Sequence, residues 1–303
     1  MAENSPSQSK RSVFFRRLAS TLGLWALVAA GLWSQQAWAY VGLVGLLTLL
    51  STIEYFQMLK LGGVKCFPRF GIGLTVAYCG LLYWMLLGNG KMGSGGGVSL
   101  PAGLDGAAVF LAAAGAFTLQ LRHPLRGLEP LQAVAFNVLG FVYVALCFNF
   151  TARLVFLVPG DGQVPGAMLL LWLIAVTKFT DMGAYITGSM IGKRKMIPHV
   201  SPGKTWEGFF GALFFSQLAA CGLFALMPEK LAALGGWPHV IVLGFILALL
   251  AVVGDLAESV VKRSLGAKDS GNMLPGIGGS LDLIDSLCFT APVLYFYLKW
   301  VTL

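Results

Sequence analysis

Charge is what this chain has least of. Only 11% of its 303 residues are Asp, Glu, Lys or Arg, against 57% hydrophobic, and the mean hydropathy is +0.77. A soluble domain carries about a quarter charged residues, so an ordinary soluble enzyme is excluded. Disorder is excluded as well, because it needs low hydrophobicity and high charge. Cysteine is sparse: Cys66, Cys79, Cys147, Cys221 and Cys288 are scattered, mostly in apolar runs, with no C-x-x-C pair. That pattern fits small buried hydrophobes and argues against a disulfide framework or a zinc site. The three histidines, His123, His199 and His239, belong to no constellation and read as interfacial residues.

What the chain does have is apolar length. Nine segments stand out, near 20–34, 38–59, 69–88, 105–121, 130–150, 165–187, 207–227, 237–257 and 284–303. They are continuously apolar rather than alternating, which favours spanning helices over a β-barrel. The expectation is an all-α, polytopic integral membrane protein of about nine transmembrane helices. With the N-terminus placed in the cytoplasm, sixteen Lys and Arg fall on the inner side, and only Lys91, Arg153, Lys230 and Lys299 on the outer. This positive-inside bias accounts for the net charge of +8 without a nucleic-acid partner. Ala37-Trp38-Ala39 has the form of a signal-peptidase site, but an uncleaved first span is the preferred reading. The chain divides into a cytoplasmic tail (1–19), a transmembrane scaffold (20–160) and a catalytic region (161–303). No internal repeat is evident, and a homodimer is an expectation for so span-rich a chain.

The scarce acids are informative because so many gather late. Asp181, Glu207, Asp255, Glu258, Asp269, Asp282 and Asp285 all fall at inner helix ends or in the inner loops 188–206 and 258–283. The first half, poor in charge, reads as scaffold and lipid contact. Lys178 and Asp181 share one helix face, and an ion in hydrocarbon is costly, so they belong at a polar cavity or an internal ion pair. Ser201-Pro202-Gly203-Lys204-Thr205-Trp206-Glu207-Gly208 ends like a P-loop, but Pro198 stands where the first glycine should, and no strand precedes it. Pro202 and Gly203 are expected to set a turn and a helix to start near Thr205, with free N–H groups suited to phosphate. The densest cluster runs from Asp255, Glu258 and Ser259 on one helix face, through Lys262-Arg263 and Lys268-Asp269, to a glycine-rich turn ending in Gly278-Gly279. Asp282 and Asp285 follow at i, i+3. Carboxylates converging at one membrane face repel each other unless a hard divalent cation gathers them, and the interleaved lysines and arginine suit phosphate oxygens.

Ser259 through Lys262-Arg263, Lys268-Asp269, Leu274-Pro275, Gly278-Gly279, Asp282 and Asp285 resemble the signature of the phosphatidate cytidylyltransferase (CDP-diacylglycerol synthase) family. Asp181, Ala184-Tyr185, Gly188 and Gly192 resemble a second block of that family, and Ser201-Pro202, Lys204-Thr205 and Glu207-Gly208 a third. Three positions depart from the family pattern: Ile277 where a histidine is expected, Ser280 where an apolar residue is, and Leu283 where an arginine is. The resemblance implies a Mg²⁺-dependent enzyme, with room for a second metal ion. It would join CTP to phosphatidic acid, giving CDP-diacylglycerol and pyrophosphate at the cytoplasmic side of a bacterial inner membrane.

Carried onto these positions, the resemblance makes Asp255, Asp282 and Asp285 metal ligands and Asp181 a further acid at the cavity. Lys204, Lys262, Arg263 and Lys268 would clamp the phosphates of nucleotide and lipid. Ser201 and Thr205 would donate to phosphate, Glu207 and Glu258 would orient basic groups, and Ser259, Gly278 and Gly279 would complete substrate binding. Three rival readings remain at this point. One is a CTP-dependent transferase acting on another lipid phosphate or a lipid alcohol. Another is an ion-coupled transporter using Lys178 and Asp181. The third is a non-catalytic relative acting as a lipid-binding partner.

Overall fold

The computed structural model describes residues 36–89, 103–125, 127–158, 166–267, 269–271, 273 and 278–302. The tail, the first apolar segment at 20–34, Lys268 and Ile277 lie outside the described residues.

The other eight apolar segments are helices. In chain order they are α1 (Ala37–Leu61), α2 (Pro68–Asn89), α3 (Leu104–Gln120), and α4 (Glu129–Gly140), which runs through a wide π-turn at Phe141–Leu146 toward α5 (Phe150–Val155). Then come α6 (Gly166–Ile191), α7 (Trp206–Leu226), α8 (Trp237–Ser264) and α9 (Leu281–Tyr297). Among the described residues, seven helical runs are long and apolar enough to cross a membrane, while α3, at 17 residues, is shorter. At about 1.5 Å per residue, α8 with its 28 residues reaches well past a hydrocarbon core of about 30 Å. Asp255, Glu258 and Lys262 lie in its last three turns. The protein is an all-α polytopic membrane protein.

One apolar core threads both halves of the chain. Tyr55 of α1, Trp172 and Leu173 of α6, Leu247 of α8 and Leu287 of α9 belong to the same buried cluster. At the far membrane end, Arg153 is buried on Asp105 (2.5 and 2.8 Å) and on the Tyr78 hydroxyl (2.9 Å), tying α5 to α2 and α3.

One local expectation is corrected. Pro202 and Gly203 do not form a turn; Ser201–Thr205 is a short strand, β2, antiparallel to β1 (Lys195–Ile197), and the turn sits at residues 198–200. A two-stranded ribbon with an irregular register leaves unpaired positions, which is where a strand accommodates proline. The helix does begin where expected, at Trp206, with Thr205 as its N-cap.

Candidate active site

The site is built where α8 and α9 touch. A Cβ at Gly254 would lie 2.8 Å from the Ser286 Cα and 2.9 Å from the Asp285 carbonyl oxygen, so only glycine permits this approach. The contact sets Asp255 and Glu258, one helical turn apart on α8, against Asp285 on α9. One carboxylate oxygen from each of the three lies within 4.8 Å of the other two. Glu258 and Asp285 are buried and Asp255 is half-buried.

Three lysines stand among these acids. Lys262 donates to Glu258 (2.6 Å) and to Asp282 Oδ1 (2.8 Å), bridging α8 to the start of α9. Lys204, on β2, pairs with Asp255, so the hairpin closes over the acidic cluster. Lys178 and Asp181 pair on α6 at 3.4 Å. The hairpin is anchored from below: Thr205 Oγ accepts the Gly208 N–H at 3.1 Å, and the Glu207 carboxylate accepts the N–H groups of Lys193 (3.1 Å) and Arg194 (3.2 Å). The glycines of this segment serve helix packing. A Cβ at Gly208 would meet the Ala184 carbonyl oxygen at 2.8 Å, and one at Gly188 the Thr205 hydroxyl at 3.2 Å.

Together these elements enclose a cavity of about 500 Å³, lined among others by Asp181, Ser201, Lys204, Thr205, Asp255, Asp282 and Asp285. Residues expected to meet from α6, the hairpin, α8 and α9 therefore do meet. Asp282 lines the cavity with its carboxylate engaged: Oδ2 accepts the Gly279 N–H at 3.1 Å while Oδ1 is held by Lys262. Glu258 holds Lys262, as expected of a residue that orients a basic group, and also lies inside the acidic cluster. Other expected residues take different places. Glu207 is spent on its own loop. Arg263 is exposed and donates to the Ala267 carbonyl at 3.3 Å, and neither it nor Ser259 lines the cavity. Gly278, with φ of 118°, needs glycine to bring the loop close to Asp282, and Gly279 packs against Ser270 and Glu54.

Glu54 is the residue that sequence reasoning missed. It lies on α1, in the half taken for scaffold, and is fully buried. Its carboxylate accepts from Ser280 Oγ (2.8 Å) and from the N–H groups of Leu281 (3.0 Å) and Met273 (3.3 Å). It thereby holds the loop that delivers Asp282 and Asp285. The signal was present: a lone carboxylate inside the apolar run 38–59 is expensive unless something pairs it.

A cation fits the donor set. If all are ionised, Asp181, Asp255, Glu258, Asp282 and Asp285 outnumber Lys178, Lys204 and Lys262 by two charges. Glu258 Oε1 is also buried with no hydrogen-bond partner among the described residues. An orphaned carboxylate oxygen beside two further carboxylates is what an oxygen-seeking divalent ion satisfies.

Comparison with known proteins points the same way. A sequence model of the cytidylyltransferase family matches residues 15–301. The chain is 43% identical over 149 residues to the phosphatidate cytidylyltransferase of Brucella suis, covering 49% of this chain and 53% of that one. It is 36% identical over 165 residues to the phosphatidate cytidylyltransferase of Bacillus subtilis, covering 54% and 58%. It is also 37% identical over 163 residues to the Escherichia coli protein YnbB, described as uncharacterized, covering 53% and 52%. The matches span about half the length of these curated relatives.

Proposed function

The chain belongs to the cytidylyltransferase family, and on that premise we propose that it transfers the cytidylyl group of CTP to phosphatidic acid, releasing pyrophosphate. The observation that carries this reading is the convergence of Asp255 and Asp285 with Lys204 around one cavity, with Glu258 completing the acidic cluster behind it and Lys262 held between Glu258 and the cavity residue Asp282.

The reaction asks little covalent chemistry of the protein. A phosphate oxygen of phosphatidic acid attacks the α-phosphorus of CTP. The new P–O bond forms as the bond from the α-phosphorus to the oxygen bridging to the β-phosphorus breaks, and pyrophosphate leaves with that electron pair. The attacking phosphate is already anionic near neutral pH, so no protein base is needed, and Ile277 in place of a histidine is no obstacle. What the site must do is position two anions and offset their repulsion. Lys204 and Lys262 exchange their carboxylate partners for phosphate oxygens, and Ser201 offers a hydroxyl at the cavity wall. Asp255, Glu258 and Asp285 are the residues that would hold Mg²⁺, which supplies charge neutralisation for the phosphates when bound. Asp282, committed to Lys262 and to Gly279, keeps the loop and the lysine in register.

The bias of basic residues supports placing this end of the helices in the cytoplasm. Relatives from bacteria support a bacterial inner membrane. There a diacyl lipid presents its phosphate at the interface while CTP arrives from water.

The test is direct. Detergent-purified protein given labelled CTP, phosphatidic acid and Mg²⁺ yields a CDP-lipid and pyrophosphate in equal amounts. Absence of any CDP-lipid across several lipid phosphates overturns the proposal.

A further inference from the structure

A second groove lies apart from the acidic cavity. It lies between α1, α2, α3 and α4, with a volume of about 970 Å³, and shares no lining residue with the acidic site. Both open near the same membrane end, since Gly62, just past α1, packs against Leu265, just past α8. Ile53, Phe56, Gln57 and Lys60 line it from α1 at i, i+3, i+4 and i+7, one continuous helix face. Glu54 points from the same helix to the loop before α9, so α1 lines the groove and holds that loop.

The groove is greasy below and basic at its mouth. Phe70, Ile72 and Leu119 continue the apolar lining contributed by Ile53 and Phe56. The basic and acidic side chains at its rim are Lys60, Lys65, Arg69, His123 and Glu129. Lys65 and Glu129 satisfy each other at 2.5 Å. Lys60 and Arg69 are exposed and have no ion-pair partner among the described residues, while His123 packs on the Phe67 ring at 5.6 Å. The rim therefore keeps an excess of positive charge directly above an apolar slot. A soluble anion has no use for the slot, and a neutral lipid none for the charge.

We propose that this groove holds one acidic phospholipid, its headgroup phosphate between Lys60 and Arg69 and an acyl chain along Phe56, Phe70 and Leu119. Basic pockets between spanning helices recognise anionic headgroups in this way, each basic residue adding a share of the attraction. The site is a binding site apart from the reaction, and its test does not use turnover.

Protein purified in a neutral detergent is titrated with dioleoyl-phosphatidylglycerol or dioleoyl-phosphatidylcholine. Bound lipid is counted by native mass spectrometry and stability followed by thermal melting. One phosphatidylglycerol is retained and raises Tm, while phosphatidylcholine does neither. The Lys60→Gln/Arg69→Gln variant binds phosphatidylglycerol about tenfold more weakly or worse. Lys230→Gln/Lys299→Gln, which removes the same charge at the far membrane end, leaves binding unchanged. Gln57→Trp, which fills the slot and touches no charge, also displaces the lipid. Equal retention of the two lipids, undiminished retention in the Lys60/Arg69 variant, or full displacement by millimolar inorganic phosphate overturns the proposal.

Discussion

Ser280 donates its hydroxyl to Glu54 at 2.8 Å across 226 positions of chain, and in turn receives the Ser51 hydroxyl at 3.2 Å. The three residues form a buried polar knot between α1 and the loop entering α9. The knot gives a physical reason for Ser280, one of the departures from the family pattern. An apolar side chain there would face a fully buried carboxylate with one donor fewer. Leu283, a second departure, simply adds apolar packing against the core.

Glu54→Ala removes the acceptor for two backbone N–H groups and for Ser280. Each buried donor left unpaired costs about 1–3 kcal/mol. The loop holding Asp282 should loosen, and CDP-lipid formation should fall by tenfold or more with a lowered Tm, read by activity assay and thermal melting. Activity and Tm equal to the parent would show that the loop holds itself.

Ser280→Ala is milder. It leaves the Leu281 and Met273 N–H bonds to Glu54 in place and should cost about 1 kcal/mol with turnover within a few-fold of the parent. Because Ser51 donates to Ser280, the Ser51→Ala/Ser280→Ala double variant should lose less than the sum of the two single changes. A double-mutant cycle in chemical denaturation measures this, and strict additivity would count against the knot.

Parts of this site were legible in the sequence and parts were not, for identifiable reasons. Asp255 and Glu258 at i, i+3 had to share a helix face, and clustered acids in an acid-poor chain had to converge on something positive. The Thr205 cap followed from its place before an apolar run. The hairpin did not show, because three- and five-residue strands containing Pro202 and Gly203 carry no alternation to read. The partners of Asp282 were hidden too: whether a carboxylate faces a cation or caps a loop depends on where Gly279 folds, which spacing does not encode. Glu54 escaped because its partners lie more than two hundred residues away.

The metal reading separates Asp255 and Asp285 from Asp282. Asp285→Asn and Asp255→Asn should each lower CDP-lipid formation by about a hundredfold or more while the protein still folds, since each keeps its shape and loses only charge. Both should also lose any rise in Tm that Mg²⁺ gives the parent. Chelation by EDTA should abolish activity in the parent, and Mg²⁺ should restore it. If Mg²⁺ stabilises the Asp285→Asn variant as much as the parent, the ion sits elsewhere.

Gly254 tests the geometry that makes the cluster possible. Gly254→Val places branched carbons where the Ser286 Cα and the Asp285 carbonyl already stand, so α8 and α9 must part. Overpacking of this kind costs about 1–3 kcal/mol. Separation of Asp255 from Asp285 should remove activity more completely than the loss of stability explains. A variant with a lowered Tm but parental turnover at low temperature would mean that the cluster tolerates the displacement.

Lys262 offers the sharpest division between holding the fold and handling the substrate. It contacts Glu258, which is only 1% exposed, and Asp282. Lys262→Met leaves a buried carboxylate without its cation, a loss of about 3–5 kcal/mol when a buried pair is broken from one side. Neutralising the stranded partner as well, in Lys262→Met/Glu258→Gln, should return much of that stability, because two neutral groups of similar volume carry no uncompensated charge. Turnover should not return, since the phosphate clamp and one metal ligand are both gone. Thermal melting and CDP-lipid formation measured side by side give the answer. Recovery of stability without activity assigns Lys262 and Glu258 to the reaction, whereas a double variant as unstable as Lys262→Met alone would show that their pairing was never what held this end of α8 together.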